Sequence, residues 1–302
     1  MLNRKVFFFL ASIVLSLSSV HAQLVVDERL AEGQPPIVMA HRSAVMGGHP
    51  ENSLAWIKFA IDRGVDMVHI NPQLTRDDQY ILMHDQTLNR TTNVESVFPE
   101  GPPNGPTRAQ RGGKDYVRDY TLDEIKRLML VNGQDGGTHA VPTLLEALEL
   151  LDGRLLVALG LKSYEVESLA EAVEGHNNQN LLLWELYFPG TDQTKLRNAS
   201  MATDLGVAVA LFRARDYMAA LEDLADQLGP ALKMVSASSK HLTPEFIAAI
   251  EQQGLQLMIS GWNAAEDQEL VNTVDGAAWT TMLDRGFAAS TDQPDRVLKL
   301  LD

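Results

Sequence analysis

The sequence predicts one α/β domain folded as a (β/α)8 barrel, with a hairpin and a loop inserted after the second barrel strand. Three observations indicate this fold. Short apolar runs of strand type alternate with segments of helical spacing, eight such runs can be counted, and they occupy about 250 residues, the usual size of this barrel. Because strands separated by helices pair in parallel, we expect a closed barrel with its active site at the C-terminal strand ends.

The eight predicted barrel strands share a compact apolar run whose end marks the mouth of the barrel. They end at His41, His69–Asn71, Lys162, Glu185, Phe212, Ser236, Ser260 and Thr291. Most of the gaps between them have helical spacing. The segment 52–64, for example, has apolar residues on one face, an Asn-Ser start and a glycine stop.

One further run, "YILMH", does not fit this count. It follows the second strand after about six residues, whereas a parallel neighbour needs a crossover of a dozen or more. We therefore predict that it is the return arm of a hairpin that turns at Asp77 and Asp78. This pairing sets His84 roughly opposite Asn71 and brings it over the barrel mouth.

A long Pro/Gly-rich segment follows the hairpin and extends to residue 118. Its later half carries Arg108, Arg111, Lys114 and Arg118 in an otherwise acidic chain. Long loops at a barrel mouth are often functional. We expect residues 94–118 to close over the mouth and to direct positive charge towards an anionic ligand.

Composition limits the partners and the compartment. Arg4 and Lys5, the apolar run "VFFFLASIVL" and a small residue at Ala22 predict a signal peptide over 1–22, hence a periplasmic or secreted domain over 23–302. The mature chain has 23 basic and 40 acidic residues, a net charge of −17, which disfavours nucleic acid as a partner. With no cysteine, it has neither disulfides nor thiol chemistry, and no later segment predicts a membrane span.

Four motifs, in this order, carry a resemblance to a known family. They are "AHRS", "HPENS", "QLTRDDQYILMHDQTLNRTT" and "GFAASTDQPD". Together they resemble the His-Arg-Gly, Pro-Glu-Asn-Thr, hairpin with His-Asp and Arg-Thr-Thr, and closing Thr-Asp-x-Pro motifs of the glycerophosphodiester phosphodiesterases. These belong with the barrel phosphodiesterases that include the phosphatidylinositol-cleaving phospholipases C. Ser43 replaces the glycine of the first motif.

The resemblance implies roles for individual residues. The two catalytic histidines of the family fall on His41 and His84, and its phosphate-binding arginine falls on Arg42. Glu51 falls on the lining glutamate of the Pro-Glu-Asn motif, and Lys162 on the lysine of a Glu-x-Lys pair. Two histidines suit general acid and base work because both titrate near neutral pH. Arg42 and Lys162 can neutralise charge on phosphoryl oxygens.

The sequence departs from the family where the family binds a divalent cation. Its three acidic ligands fall on His69, Asn71 and Gly160, so all three carboxylates are absent. Ca²⁺ and Mg²⁺ prefer oxygen ligands that include carboxylates, so we expect no tight binding of either here. Glu185, at the mouth end of a barrel strand, is a candidate replacement; a cation would then be held by His69, Asn71 and Glu185.

Three hypotheses for function follow. The first is hydrolysis of a glycerophosphodiester, or of a related or lipid-derived phosphoester, by His41 and His84 with an altered or absent cation site. The second is a catalytically silent relative that binds an anionic ligand. The third is a different reaction at a His41/His69/His84 site, since three imidazoles suit Zn²⁺ and similar transition metals.

Overall fold

The computed structural model describes residues 25–44, 46–176, 178–273 and 275–301. The predicted signal peptide lies outside these residues. Eight parallel strands close into a barrel in the order β1, β2, β7, β8, β9, β10, β11, β12 and back to β1. The predicted (β/α)8 barrel is therefore confirmed.

The barrel strands end within two residues of the predicted positions. Their bounds are β1 Val38–Ala40, β2 Met67–Ile70, β7 Leu156–Gly160, β8 Leu181–Leu186, β9 Gly206–Ala210, β10 Leu232–Ala237, β11 Gln256–Ser260 and β12 Ala288–Thr291. Four shorter strands lie in the insertion, as two antiparallel pairs: β3 Pro72–Leu74 with β4 Tyr80–Leu82, and β5 Met129–Leu130 with β6 His139–Ala140.

Helices follow most of the barrel strands. Their bounds are α1 Val26–Arg29, α2 Leu54–Arg63, α3 Val94–Val97, α4 Leu122–Ile125, α5 Leu144–Leu151, α6 Val166–Val173, α7 Thr194–Thr203, α8 Tyr217–Leu228, α9 Pro244–Gln252, α10 Ala265–Asn272, α11 Ala277–Leu283 and α12 Pro294–Leu298. Helix α2 begins and ends at the predicted signals: the Ser53 side chain accepts from the Trp56 amide, and Gly64 ends the helix at φ 70°. Among the described residues, no helix is both long and apolar enough to cross a membrane.

Three apolar clusters hold the molecule together. One fills the barrel interior with alternate strand residues such as Met39, Met67 and Met258, and another packs the strands against the helices. The third belongs to the insertion and is built around Tyr120 and Ile125. The insertion therefore has a core of its own and forms a packed unit beside the barrel mouth.

The hairpin forms as predicted, with its register displaced by one residue. Pro72 pairs with Leu82, and the Met83 amide donates to the Asn71 carbonyl at 2.8 Å, so Met83 is opposite Asn71 and His84 comes next. The Gln73 side chain donates to the carbonyls of Met83 and Asp85, the two residues that flank His84. These hydrogen bonds hold the return arm where it reaches the mouth.

Candidate active site

A cavity of about 830 Å³ opens at the C-terminal ends of the barrel strands. Most of the residues proposed for the site from the sequence line it: His41, Arg42, His69, His84, Lys162 and Glu185. Asn71 and Glu51 are not among its lining residues. The remaining wall is largely apolar, with Trp184, Leu186, Phe188, Phe212 and Trp262.

His41 follows β1, and its ring is fixed on two sides. Its Nδ1 lies 2.9 Å from the Asp292 carboxylate and 2.8 Å from the Ser43 hydroxyl, which itself donates to Asp292 at 2.7 Å. Because Ser43 uses its proton on Asp292, Nδ1 carries the ring proton and Nε2 is the unprotonated nitrogen. The ring stacks on Trp262 at 4.3 Å between centroids, and burial lowers the pKa of His41 despite the nearby Asp292.

His84 has the same arrangement on the hairpin. Its Nδ1 lies 2.8 Å from Asp85, whose carboxylate also accepts from Arg90 at 2.5 Å. Hydrogen bonds from Arg90 and His84 lower the pKa of Asp85 to about 2 against the opposing effect of burial. Burial, followed by the positive charges of Lys162 and Arg42, lowers the pKa of His84 to about 4.

Glu51 lies behind the cavity wall and holds two arginines. It accepts from Arg42 at 3.0 and 3.2 Å and from Arg90 at 2.7 and 3.0 Å. The structure therefore places Glu51 as a partner of Arg42 and not as a lining residue. The Arg42 Nε is buried and has no hydrogen-bond partner among the described residues, which leaves a donor available for an anion.

Lys162 follows β7 by two residues, Glu185 is the second-last residue of β8, and both line the cavity. Burial, followed by the charge of Arg42, lowers the pKa of Lys162. Burial raises the pKa of Glu185, an effect that the Tyr164 hydrogen bond partly offsets. Lys162 is thus a desolvated cation near Arg42, and Glu185 is the one carboxylate among the described residues that line the cavity.

The three positions that the resemblance assigns to a cation are filled by neutral groups. The Asn71 amide nitrogen lies 3.2 Å from His69 Nε2 and 3.3 Å from the Gly160 carbonyl, while its oxygen accepts from Asn52. A Cβ on Gly160 would lie 2.1 Å from His69 Nε2 and 2.4 Å from Asn71 Nδ2. His69 and Asn71 therefore occupy the space of a third ligand, and this donor set does not fit a hard dication.

The histidines of the cavity do not form a three-ligand site. The His41 and His69 ring centroids are 5.6 Å apart. Among the described residues, the one group of three metal-ligating side chains with donor atoms within 4.8 Å of one another is His49, Asp135 and His139. The expected set of His41, His69 and His84 is not such a group, while the candidate set of His69, Asn71 and Glu185 stays a prediction.

The basic loop does not supply charge to the cavity. Arg108 donates to Asp115 at 2.6 Å, and Arg111 donates to Asp119 at 2.6 and 2.8 Å. Neither arginine, nor Lys114, lines the cavity. The prediction for residues 94–118 is wrong: none of these residues lines the cavity, and carboxylates of the same insertion neutralise Arg108 and Arg111.

Several residues of the site were not singled out from the sequence. The motifs mark Ser43 only as a departure and Asp292 only as part of the closing motif, yet both contact His41. Trp262 and Arg213 line the cavity after β11 and β9. Their position directly after predicted barrel strands was the available signal, since side chains there face the mouth.

Comparison with known proteins identifies the family of this chain. The model of the glycerophosphoryl diester phosphodiesterase family matches residues 41–296. The chain belongs to this family. The matched segment begins at His41 and includes every residue proposed for the site.

Individual relatives match more partially. A glycerophosphodiester phosphodiesterase of Caldanaerobacter subterraneus is 33% identical over 150 residues, 47% of this chain and 54% of the relative. One of Bacillus altitudinis is 30% identical over 143 residues, 45% of this chain and 50% of the relative. The matches thus span about half the length of these relatives.

Solved structures of the family share the fold over nearly the whole chain. A glycerophosphoryl diester phosphodiesterase of Parabacteroides distasonis has a TM-score of 0.69 at 22% identity, covering 92% of each chain. A phosphodiesterase of Oleispira antarctica, solved in complex with the product sn-glycerol-3-phosphate, has a TM-score of 0.64 at 21% identity, covering 89% of this chain and 97% of that one.

Proposed function

We propose that this protein hydrolyses a phosphodiester of the glycerophosphodiester type by acid and base catalysis at His41 and His84, without a cation at the family position. The observation that carries this proposal is that the two histidines make the same kind of contact and line the same cavity. Each has its Nδ1 on a carboxylate, Asp292 or Asp85, and each lines the same cavity. Family membership and the glycerol phosphate bound by the Oleispira antarctica phosphodiesterase support the substrate class.

The reaction needs one proton removed and one supplied. One imidazole, through Nε2, takes a proton from the attacking water or from a hydroxyl of the substrate, and the new oxygen–phosphorus bond forms. The bond from phosphorus to the alcohol breaks, and the other imidazole protonates the departing oxygen. With water as the attacking group, the products are a phosphomonoester and an alcohol, and the two imidazoles regain their starting states by exchange with solvent.

The charge on the phosphoryl oxygens is matched by this chain's own cations. Arg42 offers a buried, unpartnered Nε, and Lys162 is held nearby in a desolvated part of the cavity. Fixed cations in a site of low dielectric stabilise developing negative charge without reorganising. Arg42 and Lys162 would thus stabilise the charge that a dication stabilises in other phosphoryl-transfer sites.

Binding of the substrate also adjusts the histidines. In the cavity, burial and the charges of Arg42 and Lys162 lower the pKa of His84. An anionic phosphodiester between these groups offsets the two positive charges and therefore raises the pKa of His84 towards neutrality. His84 is thereby protonated most readily when substrate is bound.

The wall of the cavity favours an alcohol with an apolar portion. Phe188, Phe212 and Leu186 line the cavity, and Trp262 stacks on His41. Apolar and aromatic walls of this kind bind ligands by burying carbon, while a few polar groups set the orientation. We also propose export of the protein, on the pattern of residues 1–22.

A hydrolysis screen tests the proposal. Glycerophosphodiesters with small polar alcohols, lysophospholipids and aryl phosphodiesters are each incubated with the protein in chelator, and the released phosphomonoester is measured. We expect turnover of at least one glycerophosphodiester, with a lower KM as the apolar portion grows. Binding of these compounds without turnover of any would identify a silent relative and overturn the proposal.

A further inference from the structure

A second cluster of titratable side chains lies outside the catalytic cavity. His49 belongs to the loop between β1 and α2, and Asp135 and His139 belong to the insertion, before and within β6. Both imidazoles contact the same carboxylate oxygen, Asp135 Oδ2: His49 through Nδ1, and His139 through Nε2 at 2.8 Å. None of the three residues lines the catalytic cavity.

We propose that His49, Asp135 and His139 bind a transition-metal dication, with zinc as the expected ion. Two imidazoles and one carboxylate form a ligand set that zinc uses, whereas Ca²⁺ and Mg²⁺ prefer sets built from oxygen. The donor atoms all lie within 4.8 Å of one another. Ligands of a tetrahedral zinc lie about 3.3 Å apart, given zinc bonds of about 2.0–2.1 Å, so only small side-chain shifts are needed to admit the ion.

The local backbone keeps these ligands together. The Gly48 carbonyl accepts from the amides of Gln134 and Asp135, so the two loops are already joined beside the cluster. The Asp135 Oδ1 accepts from the Gly137 amide at 2.9 Å, which leaves Oδ2 facing the imidazoles.

Room for the rings is provided by glycines. A Cβ on Gly137 would lie 2.6 Å from His139 Nε2, and one on Gly47 would lie 2.8 Å from the Phe59 ring, against which His49 packs. Gly47 also has φ 60°, a conformation that side chains rarely adopt. Substitution at these positions would therefore displace a ligand.

An independent observation indicates a place for a fourth ligand. His49 lines a separate cavity of about 200 Å³, together with Ser43, Glu51 and Asn132. The Asn132 Oδ1 is buried and accepts no hydrogen bond from any described residue. A water bound to the metal in this cavity would donate a hydrogen bond to the Asn132 Oδ1. A buried polar oxygen requires such a partner.

The position of the site suggests its effect. The loop that carries His49 also carries Arg42, Ser43 and Glu51, so a metal bound to Asp135 and His139 would fasten this loop to the insertion. Such a metal stabilises the folded protein by mass action and touches no group in the catalytic cavity. The inference is therefore independent of the proposed hydrolysis.

Metal binding is measured on the whole protein after chelator treatment and dialysis. We expect one Zn²⁺ per chain by calorimetry, a rise in Tm with Zn²⁺, no rise with Ca²⁺ or Mg²⁺, and visible absorption bands when Co²⁺ replaces zinc. Three variants each remove one ligand: His49→Ala, His139→Ala and the isosteric Asp135→Asn. Each should bind Zn²⁺ at least about 10–100-fold more weakly, because losing a residue that only supports a metal ligand already has an effect of this size.

Two controls locate the ion. His241→Ala removes an exposed histidine elsewhere, and His69→Gln removes the buried histidine of the catalytic cavity; both should leave zinc affinity and stoichiometry unchanged. The proposal is overturned if the wild type takes up no zinc, if Asp135→Asn binds it as tightly as the wild type, or if His69→Gln abolishes binding.

Discussion

The two sides of the barrel mouth differ in what their polar side chains contact. On one side, His41 and His84 each contact a carboxylate, and Arg42 and Lys162 line the same cavity. On the other side, His69 and Asn71 contact each other and neutral neighbours. We propose that the first arrangement moves protons and binds anions, and that the second fills the space where relatives are expected to hold a cation.

The two sides also differ in the elements that carry them. The proton-transfer side rests on β1, the hairpin and the residue after β12, and its contacts are charge-assisted. The substituted side rests on β2 and β7, and Gly160 leaves the room that the two larger side chains occupy. The substitutions at 69, 71 and 160 are therefore coupled by packing.

The largest expected effect is on kcat, which should distinguish the two sides of the barrel mouth. His41→Ala and His84→Ala should each lower kcat by about 10²–10⁴-fold, the usual contribution of a positioned acid or base. Whichever of the two is the general acid should lose less activity on an aryl phosphodiester, because that leaving group needs no proton. Steady-state kinetics on both substrates measures this.

His69→Gln is the matched control for these variants. It changes a histidine in the same cavity that contacts no carboxylate, and its kcat should stay within a few-fold of the wild type. Equal losses in all three variants would mean that the two sides of the mouth do not differ in the way described here.

The coupling at Gly160 predicts a large effect on stability. Gly160→Ala alone should destabilise the fold by about 1–3 kcal/mol, because its Cβ would overlap the His69 ring and overpacking has this magnitude. The same change in a His69→Ala/Asn71→Ala background should be tolerated, since the overlapping atoms are gone. Urea denaturation of the four proteins measures the coupling free energy, and strict additivity would contradict it.

Glu51 offers a smaller test of the anion-binding side. Glu51→Gln removes the charge that holds Arg42 and Arg90, so Arg42 should be less well positioned for phosphate. We expect KM to rise by about tenfold, equivalent to about 1.4 kcal/mol, with a smaller change in kcat. Asp62→Asn, an exposed carboxylate on α2, is the control and should leave KM unchanged.

The smallest effect concerns acid stability. Burial lowers the pKa of His69 well below its usual value, so the unfolded chain takes up this proton first as the pH falls. Its contribution to stability is present above about pH 6.5 and declines below that. Between pH 6 and 5, the free energy of unfolding should therefore fall less steeply in His69→Gln than in the wild type. The difference should be up to about 1.4 kcal/mol per pH unit. His241→Gln, at an exposed histidine, should leave the pH dependence of Tm as it is in the wild type.

The strand pattern was sufficient to predict the barrel because apolar runs bounded by polar ends are local signals. It also placed His41, His84, Arg42 and Lys162 in one cavity, since strand ends converge in this fold. Contacts between residues far apart in the sequence could not be predicted in this way. The contact of Asp292 with His41 joins residues 251 positions apart, and Glu51 reaches Arg90 over 39 positions. The pairing of Arg108 and Arg111 inside the insertion depends on a compact core that the loop composition did not reveal.

The measurement that tests the central claim most directly is the rate of glycerophosphodiester hydrolysis with and without a hard cation. The chelated wild type, assayed below its Tm, should turn over at the same rate in EDTA and in millimolar Ca²⁺ or Mg²⁺. The triple variant His69→Glu/Asn71→Asp/Gly160→Glu should gain a thermal shift with Ca²⁺ or Mg²⁺ that the wild type lacks. Wild-type activity that appears only when Ca²⁺ or Mg²⁺ is added would contradict the account.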